Sequence, residues 1–90
     1  MIFNVVTSIQ AEEDLRGIFE YIAFELLSPE NAEKQLERLE RQILSLDEMP
    51  ERFPRYGKEP WHSRGLRFAV ADNYIVFYIP DIEKQVVTII

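Results

Sequence analysis

The chain has no cysteine, three glycines and one histidine, His62, among its 90 residues. Without cysteine there is no disulfide framework, no thiol nucleophile and no cysteine-based zinc site, and one histidine cannot form a histidine-rich metal site. The scattered glycines cannot form a glycine-rich phosphate loop, and no motif of nucleophile, histidine and acid is present. We therefore expect neither a metal nor a cofactor.

Long hydrophobic runs are also missing. The longest, from Tyr74 to Ile79, is far shorter than the roughly 20 apolar residues that cross a bilayer. The N-terminus lacks a basic region followed by an apolar one. We expect a cytoplasmic protein with no membrane partner, folded as a single domain over residues 1–90 that spends most of its apolar residues on one core.

Positive charge is scarce overall, since the net charge is −6, but it is unevenly distributed. The first fifty residues are strongly acidic. The basic segment, residues 51–67, has five cations against two acids and interleaves them with aromatic residues. An anion or target site is expected there, with these candidate contacts: Arg52, Arg55, Lys58 and Trp61. The alternative is a solvated loop whose aromatic residues tuck under the domain.

The first half of the chain predicts a strand followed by two helices. Ile2 to Val6 is a β-rich run, and Thr7 with Gln10 fits a capping box at the start of a helix from about Ser8 to Leu27. Its predicted core stripe is Leu15, Ile18, Phe19, Ile22 and Leu26. Ser28 before Pro29 predicts the start of a second helix, with a packed seam of Ala32, Leu36, Leu39, Ile43 and Leu46 that ends before Pro50.

The first helix carries a second apolar stripe, formed by Gly17, Tyr21 and Phe24. These residues lie on roughly the opposite side from the predicted core stripe, where water would not favour them. Either the second helix covers this stripe or a partner protein does, and the partner interpretation makes the three residues candidate contacts.

The second half of the chain predicts three strands. Leu66 to Ala71 alternates in character, Asp72 and Asn73 form a turn before the run Tyr74 to Ile79, and Gln85 to Ile90 is a last β-rich run. The predicted fold is α+β with the order β-α-α-β-β-β, in which a strand and a helix hairpin pack on a mainly antiparallel four-stranded sheet.

The basic segment contains the candidate chemistry. His62 could act as a general base on an RNA hydroxyl, with Arg64 or Arg67 stabilising charge on the phosphate. The alternative for His62 is a surface or packing role. Arg67 is predicted to point to the sheet face opposite Leu66, where it lines a cleft or pairs with a helix acid.

Several short strings in this order resemble the RelE/ParE toxin superfamily of bacterial type II toxin-antitoxin modules, in its ParE-like plasmid-stabilisation branch. They are Thr7 with Ala11, Asp14 and Leu15; Tyr21-Ile22; Pro29 to Ala32; Leu39, Ile43 and Leu46 before Pro50; Gly65-Leu66-Arg67; and Asn73 to Tyr78. The resemblance implies a growth-inhibiting toxin neutralised by a cognate antitoxin, alone as a homodimer or with the antitoxin as a heterotetramer.

The resemblance implies two modes of action. ParE-like members inhibit DNA gyrase by binding it, whereas RelE-like members are ribosome-dependent mRNA interferases that use basic residues on the sheet. Ile75 stands where such nucleases commonly carry arginine, and Ala69 where they often have another base, so we favour the gyrase mode. The chain stops at Ile90, before the tail with which family members usually continue, so a third interpretation is an inactive truncated toxin that only binds antitoxin.

Overall fold

The computed structural model describes residues 2–90. Its strands and helices follow the predicted order, and the predicted α+β class is confirmed. They are β1 (Asn4–Thr7), α1 (Ile9–Glu20), α2 (Pro29–Leu44), β2 (Arg67–Ala71), β3 (Tyr74–Asp81) and β4 (Val86–Ile89), with a π-helical turn at Tyr21–Glu25 and 3-10 turns at Ser45–Asp47 and Pro50–Arg52.

The four strands form one mixed sheet in the order β1-β4-β3-β2. β2 and β3 form an antiparallel hairpin, β4 is antiparallel to β3, and β1 pairs with β4 in parallel, with Val5 opposite Val87. The parallel pairing is possible because the helix hairpin and two further strands separate β1 from β4 in the sequence.

The start and end of α1 differ from the prediction. Ser8, and not Thr7, is the N-cap, because its side chain accepts the Ala11 amide at 3.1 Å while Thr7 is still part of β1. The α-helix ends at Glu20, since the Leu26 amide bonds to the Tyr21 carbonyl five residues back at 3.1 Å. This wider turn moves Leu26 off the predicted core stripe, and its side chain is exposed.

The second helix packs as predicted. It begins at Pro29 and ends at Leu44, and its seam residues Ala32 and Leu39 are buried, as is Leu46 in the 3-10 turn that follows. The Ser28 hydroxyl does not cap the helix amides, however, because it accepts a hydrogen bond from the Asn31 side chain at 2.7 Å instead.

The core lies between the helix hairpin and one face of the sheet. Buried side chains from both layers build it: Phe3, Ala11, Leu39, Ile43, Leu46, Ala69, Val76, Tyr78, Val87 and Ile89. Among the strand positions, Ala69 is 1% exposed and faces the helices, whereas Val70 is 62% exposed on the outer face, the sheet face away from the helices. None of the helices between residues 2 and 90 has the length and apolar character needed to cross a bilayer.

Candidate functional site

Arg67 lies on the same sheet face as Ala69, opposite Phe68 and Val70, and this is the side that the helices cover. Its side chain is 14% exposed, and its Nη1 donates to the Phe53 carbonyl at 2.6 Å and to the Glu51 carbonyl at 3.1 Å. Its Nη2 lies 3.6 Å from the Glu51 carboxylate. The guanidinium therefore fastens the start of the basic segment to the sheet.

Tyr78 holds the 3-10 turn at Pro50–Arg52 from the side of the core. Its ring is fully buried, and its hydroxyl donates to the Pro50 carbonyl at 2.6 Å. Burial raises the pKa of the Tyr78 hydroxyl, with the nearby Arg67 and Arg52 charges opposing the shift. The phenol is thus held in its neutral, donating form.

Arg52 caps the end of the helix hairpin. Its guanidinium donates to backbone carbonyls of Ser45, Glu48 and Met49, and to the Ser45 hydroxyl at 3.1 Å. It also lies over the Phe53 ring, 4.6 Å from the centroid. Arg52 and Arg67 are two of the predicted phosphate-binding residues. Both donate their hydrogen bonds mainly to the protein's own backbone.

The other cations of the basic segment are exposed. Arg55, Lys58 and Arg64 form no ion pair within residues 2–90. Arg64 stacks over the half-exposed Trp61 ring at 5.2 Å. This group of three cations and Trp61 is what remains of the predicted anion site.

His62 lies on the same loop. Its Nδ1 is 3.0 Å from the Tyr56 carbonyl oxygen. Because a carbonyl can only accept, Nδ1 carries the proton and the neutral ring has its free lone pair on Nε2. Tyr56 in turn donates its amide to the Leu66 carbonyl at 2.8 Å. The loop next to β2 therefore holds the imidazole in one orientation.

The predicted stripe on the first helix is not covered by α2. Tyr21 is 55% exposed and Phe24 is 68% exposed, because both lie in the π-helical turn at the tip of the hairpin. Gly17 is exposed one turn earlier. The three residues are thus available to a partner.

Sequence reasoning missed a groove of about 540 Å³ between α1 and the sheet. Its walls include Leu15 and Ile18 of α1 and residues 74–77 of β3, and Gly17 and Tyr21 of the predicted stripe also line it. Two charged residues, Glu13 and Asp14, lie on its wall. The sequence does contain one signal for the groove. The apolar run in β3 is longer than the β-rich run of β4, so part of β3 has no partner in β4.

The outer face of the sheet was also missed. It is apolar and contains exposed Val6, Val70 and Ile75, which are 42%, 62% and 54% exposed. Phe68 and Phe77 pack against each other on it with ring centroids 6.4 Å apart, and Tyr56 meets Phe77 edge-on at 5.7 Å. A sheet face with this composition suits contact with protein better than contact with phosphate.

These elements define a small α+β protein with an apolar groove and a small cationic loop, and the comparisons with known proteins agree with that class. A solved structure described as "Chromosomal ParDE TA system from P. aeruginosa" superposes with a TM-score of 0.79 at 18% sequence identity, covering 98% of this chain and 90% of that chain. At this identity the likeness shows the fold. No curated protein sequence matches the chain.

The family assignment comes from a sequence model. The family described as "ParE toxin of type II toxin-antitoxin system, parDE" matches residues 5–90. The chain belongs to this ParE toxin family, which confirms the resemblance drawn from the sequence. It is the toxin of a type II toxin-antitoxin module, and membership implies a cognate antitoxin as its partner.

Proposed function

We propose that this toxin acts in the cytoplasm by binding a protein target, DNA gyrase, and not by cleaving RNA. The observation that carries the proposal is the position of Arg67. Its side chain is 14% exposed and is bound to the Phe53 and Glu51 carbonyls, so it has little capacity left for a phosphate. An arginine that stabilises a reacting phosphate must reach the charge that develops on it.

Two strand positions support the same conclusion. Ile75 is exposed on the outer face and Ala69 is buried against the helices, and these are the positions where RelE-like nucleases carry basic side chains. The exposed cations Arg55, Lys58 and Arg64 lie on the loop beside β2 and are suited to the rim of a protein interface. Loop cations around an apolar surface fit binding to an acidic region of a protein.

The antitoxin contact is proposed for the tip of the helix hairpin. Tyr21 and Phe24 are large apolar residues that are exposed, and aromatic side chains of this kind dominate the energy of many interfaces. Gly17 extends this surface toward the groove. With the antitoxin bound, we propose a heterotetramer of two toxins and two antitoxins, and without it a monomer or homodimer.

The deciding experiment is expression of the chain in bacteria, with DNA and protein synthesis followed by pulse labelling and purified gyrase assayed for supercoiling. The gyrase proposal expects an early stop in DNA synthesis and inhibition of supercoiling by the purified chain. Antitoxin expression should restore both. An early stop in protein synthesis with cleaved mRNA would reject the proposal.

A second candidate, the ribosome-dependent mRNA interferase, is favoured by one observation. The Tyr56 carbonyl holds Nδ1 of His62 at 3.0 Å and leaves Nε2 to accept a proton, as a general base on an RNA hydroxyl requires. His62→Ala tests it directly. In the gyrase mode this variant should inhibit supercoiling as the parent does, whereas in the interferase mode it should lose cleavage. A chain that binds antitoxin but changes neither synthesis would be an inactive toxin.

A further inference from the structure

The loop that precedes β2 is closed at its base. Arg55 lies opposite Arg67 in a backbone bridge. The Tyr56 amide donates to the Leu66 carbonyl at 2.8 Å. The chain between these contacts, the 56–66 loop, therefore leaves and rejoins the sheet at the same place. Compact surface loops whose ends lie close together are frequently functional.

Hydrogen bonds within the 56–66 loop hold its backbone. The His62 amide donates to the Lys58 carbonyl at 2.9 Å. The Leu66 amide donates to the Trp61 carbonyl at 3.1 Å, and Leu66 itself is buried. The loop thus presents its exposed side chains from a fixed backbone, which reduces the conformational entropy that binding would remove.

Arg64 and Trp61 form a pair on this loop. The Arg64 guanidinium lies over the Trp61 ring, 5.2 Å from the centroid. Among the described residues its side chain has no hydrogen-bond acceptor and no ion pair. The ring therefore helps to position a guanidinium whose five N–H donors are still open. Arg52 and Arg67 differ, because their donors are bound to backbone carbonyls.

Two more cations accompany the pair. Arg55 and Lys58 are exposed, and neither forms an ion pair in the part of the chain that the structure describes. Glu59 is the acid of the loop, and its carboxylate already accepts the Ser63 amide at 3.3 Å. The loop and its base thus favour an anion, although the whole chain has a net charge of −6.

An acidic protein segment fits this charge pattern better than a nucleic acid does. Affinity for nucleic acid rises with the number of phosphates neutralised, and residues 55–66 contain three cations. The acidic remainder of the surface would repel the rest of such a polyanion. A short acidic segment needs only the cations that it reaches. Trp61, which is 41% exposed, adds an aromatic contact of the kind that dominates many protein interfaces.

We propose that Arg64, positioned by Trp61, binds a carboxylate side chain on an acidic segment of the protein target. The guanidinium fork matches the two oxygens of a carboxylate. Arg55 and Lys58 attract further acidic residues of the same segment. This proposal rests on the proposed function, in which the toxin binds a protein, and it names the contact surface and the chemistry of the partner.

The fluorescence of Trp61 reports directly on this site, because it is the one tryptophan of the chain. The probe is acetylated and amidated tetraglutamate, and the matched neutral probe is tetraglutamine. At millimolar concentration tetraglutamate should change the Trp61 emission in a saturable way, whereas tetraglutamine should not. The Kd for tetraglutamate should rise with added NaCl, since salt screens exposed charges.

Three variants test the role of Arg64. Arg64→Gln should raise the Kd for tetraglutamate about fivefold, which is the upper range for an exposed charge pair. Arg64→Lys keeps the charge but loses the planar fork, so it should also bind more weakly than the parent. Arg41→Gln is the matched control, because Arg41 is an exposed cation of α2 outside the loop. It should bind tetraglutamate as the parent does, and equal urea midpoints show that each variant is folded.

The same variants are then compared for inhibition of gyrase supercoiling. Arg64→Gln should need about fivefold more protein than the parent for half inhibition, and Arg41→Gln should need the same amount as the parent. Equal inhibition by Arg64→Gln and the parent would reject this site and leave the gyrase function intact. A parent that binds tetraglutamate through Arg64 and does not inhibit gyrase would support the site and reject gyrase as the target.

Three results of the fluorescence titration would overturn the proposal. The first is an unchanged Trp61 emission at millimolar tetraglutamate. The second is an equal Kd for Arg64→Gln and the parent. The third is a lower Kd for octauridylate than for tetraglutamate, which would assign the loop to RNA phosphate.

Discussion

Arg67→Ala separates a structural role for this arginine from a catalytic one. The change removes two hydrogen bonds from a charged donor, to the Phe53 carbonyl at 2.6 Å and the Glu51 carbonyl at 3.1 Å. A hydrogen bond to a charged group contributes about 1.5–3 kcal/mol when it is shielded, and less when it is exposed. The 3.6 Å ion pair to the Glu51 carboxylate adds little, because that side chain is 57% exposed.

We therefore expect Arg67→Ala to lower the free energy of unfolding by about 2–4 kcal/mol, since one of the two bonds is part-buried and the other is exposed. In a domain of this size the loss corresponds to a drop of roughly 10–25 °C in Tm. Urea titration followed by circular dichroism measures the first quantity, and a thermal scan measures the second.

Arg55→Ala is the matched control for Arg67→Ala. Arg55 lies opposite Arg67 in a backbone bridge, but it is exposed and has no ion pair within residues 2–90. Its removal should change stability by no more than about 0.5 kcal/mol, and it should weaken target binding if the loop cations contact gyrase. Arg67→Ala with an unchanged urea midpoint and lost mRNA cleavage would refute the structural role and support the interferase.

Three further outcomes follow from the same contacts. Tyr78→Phe leaves the buried Pro50 carbonyl without its 2.6 Å donor and should cost about 1–3 kcal/mol in a urea titration; an unchanged midpoint would show that another donor takes over. Because burial raises the pKa of the Tyr78 hydroxyl, the unfolded state loses its proton first, so stability should be full below about pH 10 and fall above it. Tyr78→Phe should reduce this fall, and an equal fall in the variant would assign it to other groups. Tyr21→Asp combined with Phe24→Asp should leave the urea midpoint within about 0.5 kcal/mol, since both are exposed, while calorimetry records weaker antitoxin binding; an unfolded variant would instead make them core residues.

The second helix and the hairpin of β2 and β3 could be predicted from the sequence because each has a local signal. Pro29 begins α2, and the alternating spacing of its seam places Leu39 and Leu46 in the core. Asp72, with φ at 56°, adopts the left-handed conformation that a turn of this kind favours and that aspartate tolerates. These features depend on neighbours a few residues away.

The end of α1 could not be predicted in the same way. The stripe that ends at Leu26 assumes 3.6 residues in every turn, and the bond from the Leu26 amide to the Tyr21 carbonyl breaks that period. Nothing in the residue types from 21 to 26 distinguishes a wider turn from a regular one. The turn exposes Phe24 at the tip of the hairpin, where the antitoxin contact is proposed.

The covered face of β2 could not be predicted, because both sets of alternating residues are largely apolar. Phe68 and Val70 are the larger side chains, yet the small side chain of Ala69 lies against the helices. Hydrophobic size alone cannot tell which face of such a strand is covered. The groove escaped prediction for a related reason, since it depends on β3 extending past β4.

The cations of the basic segment divide according to the backbone that surrounds them. Arg52 donates to the Ser45, Glu48 and Met49 carbonyls in the turns that follow α2. Arg67 does the same for the next turn. Counting charge along the sequence therefore overstates the anion site, because it cannot separate cations that satisfy carbonyls from cations that face solvent. Affinity for nucleic acid grows with the number of phosphates neutralised. Because these two arginines are already bound to backbone carbonyls, the argument for RNA binding is weakened much more than the argument for a protein target.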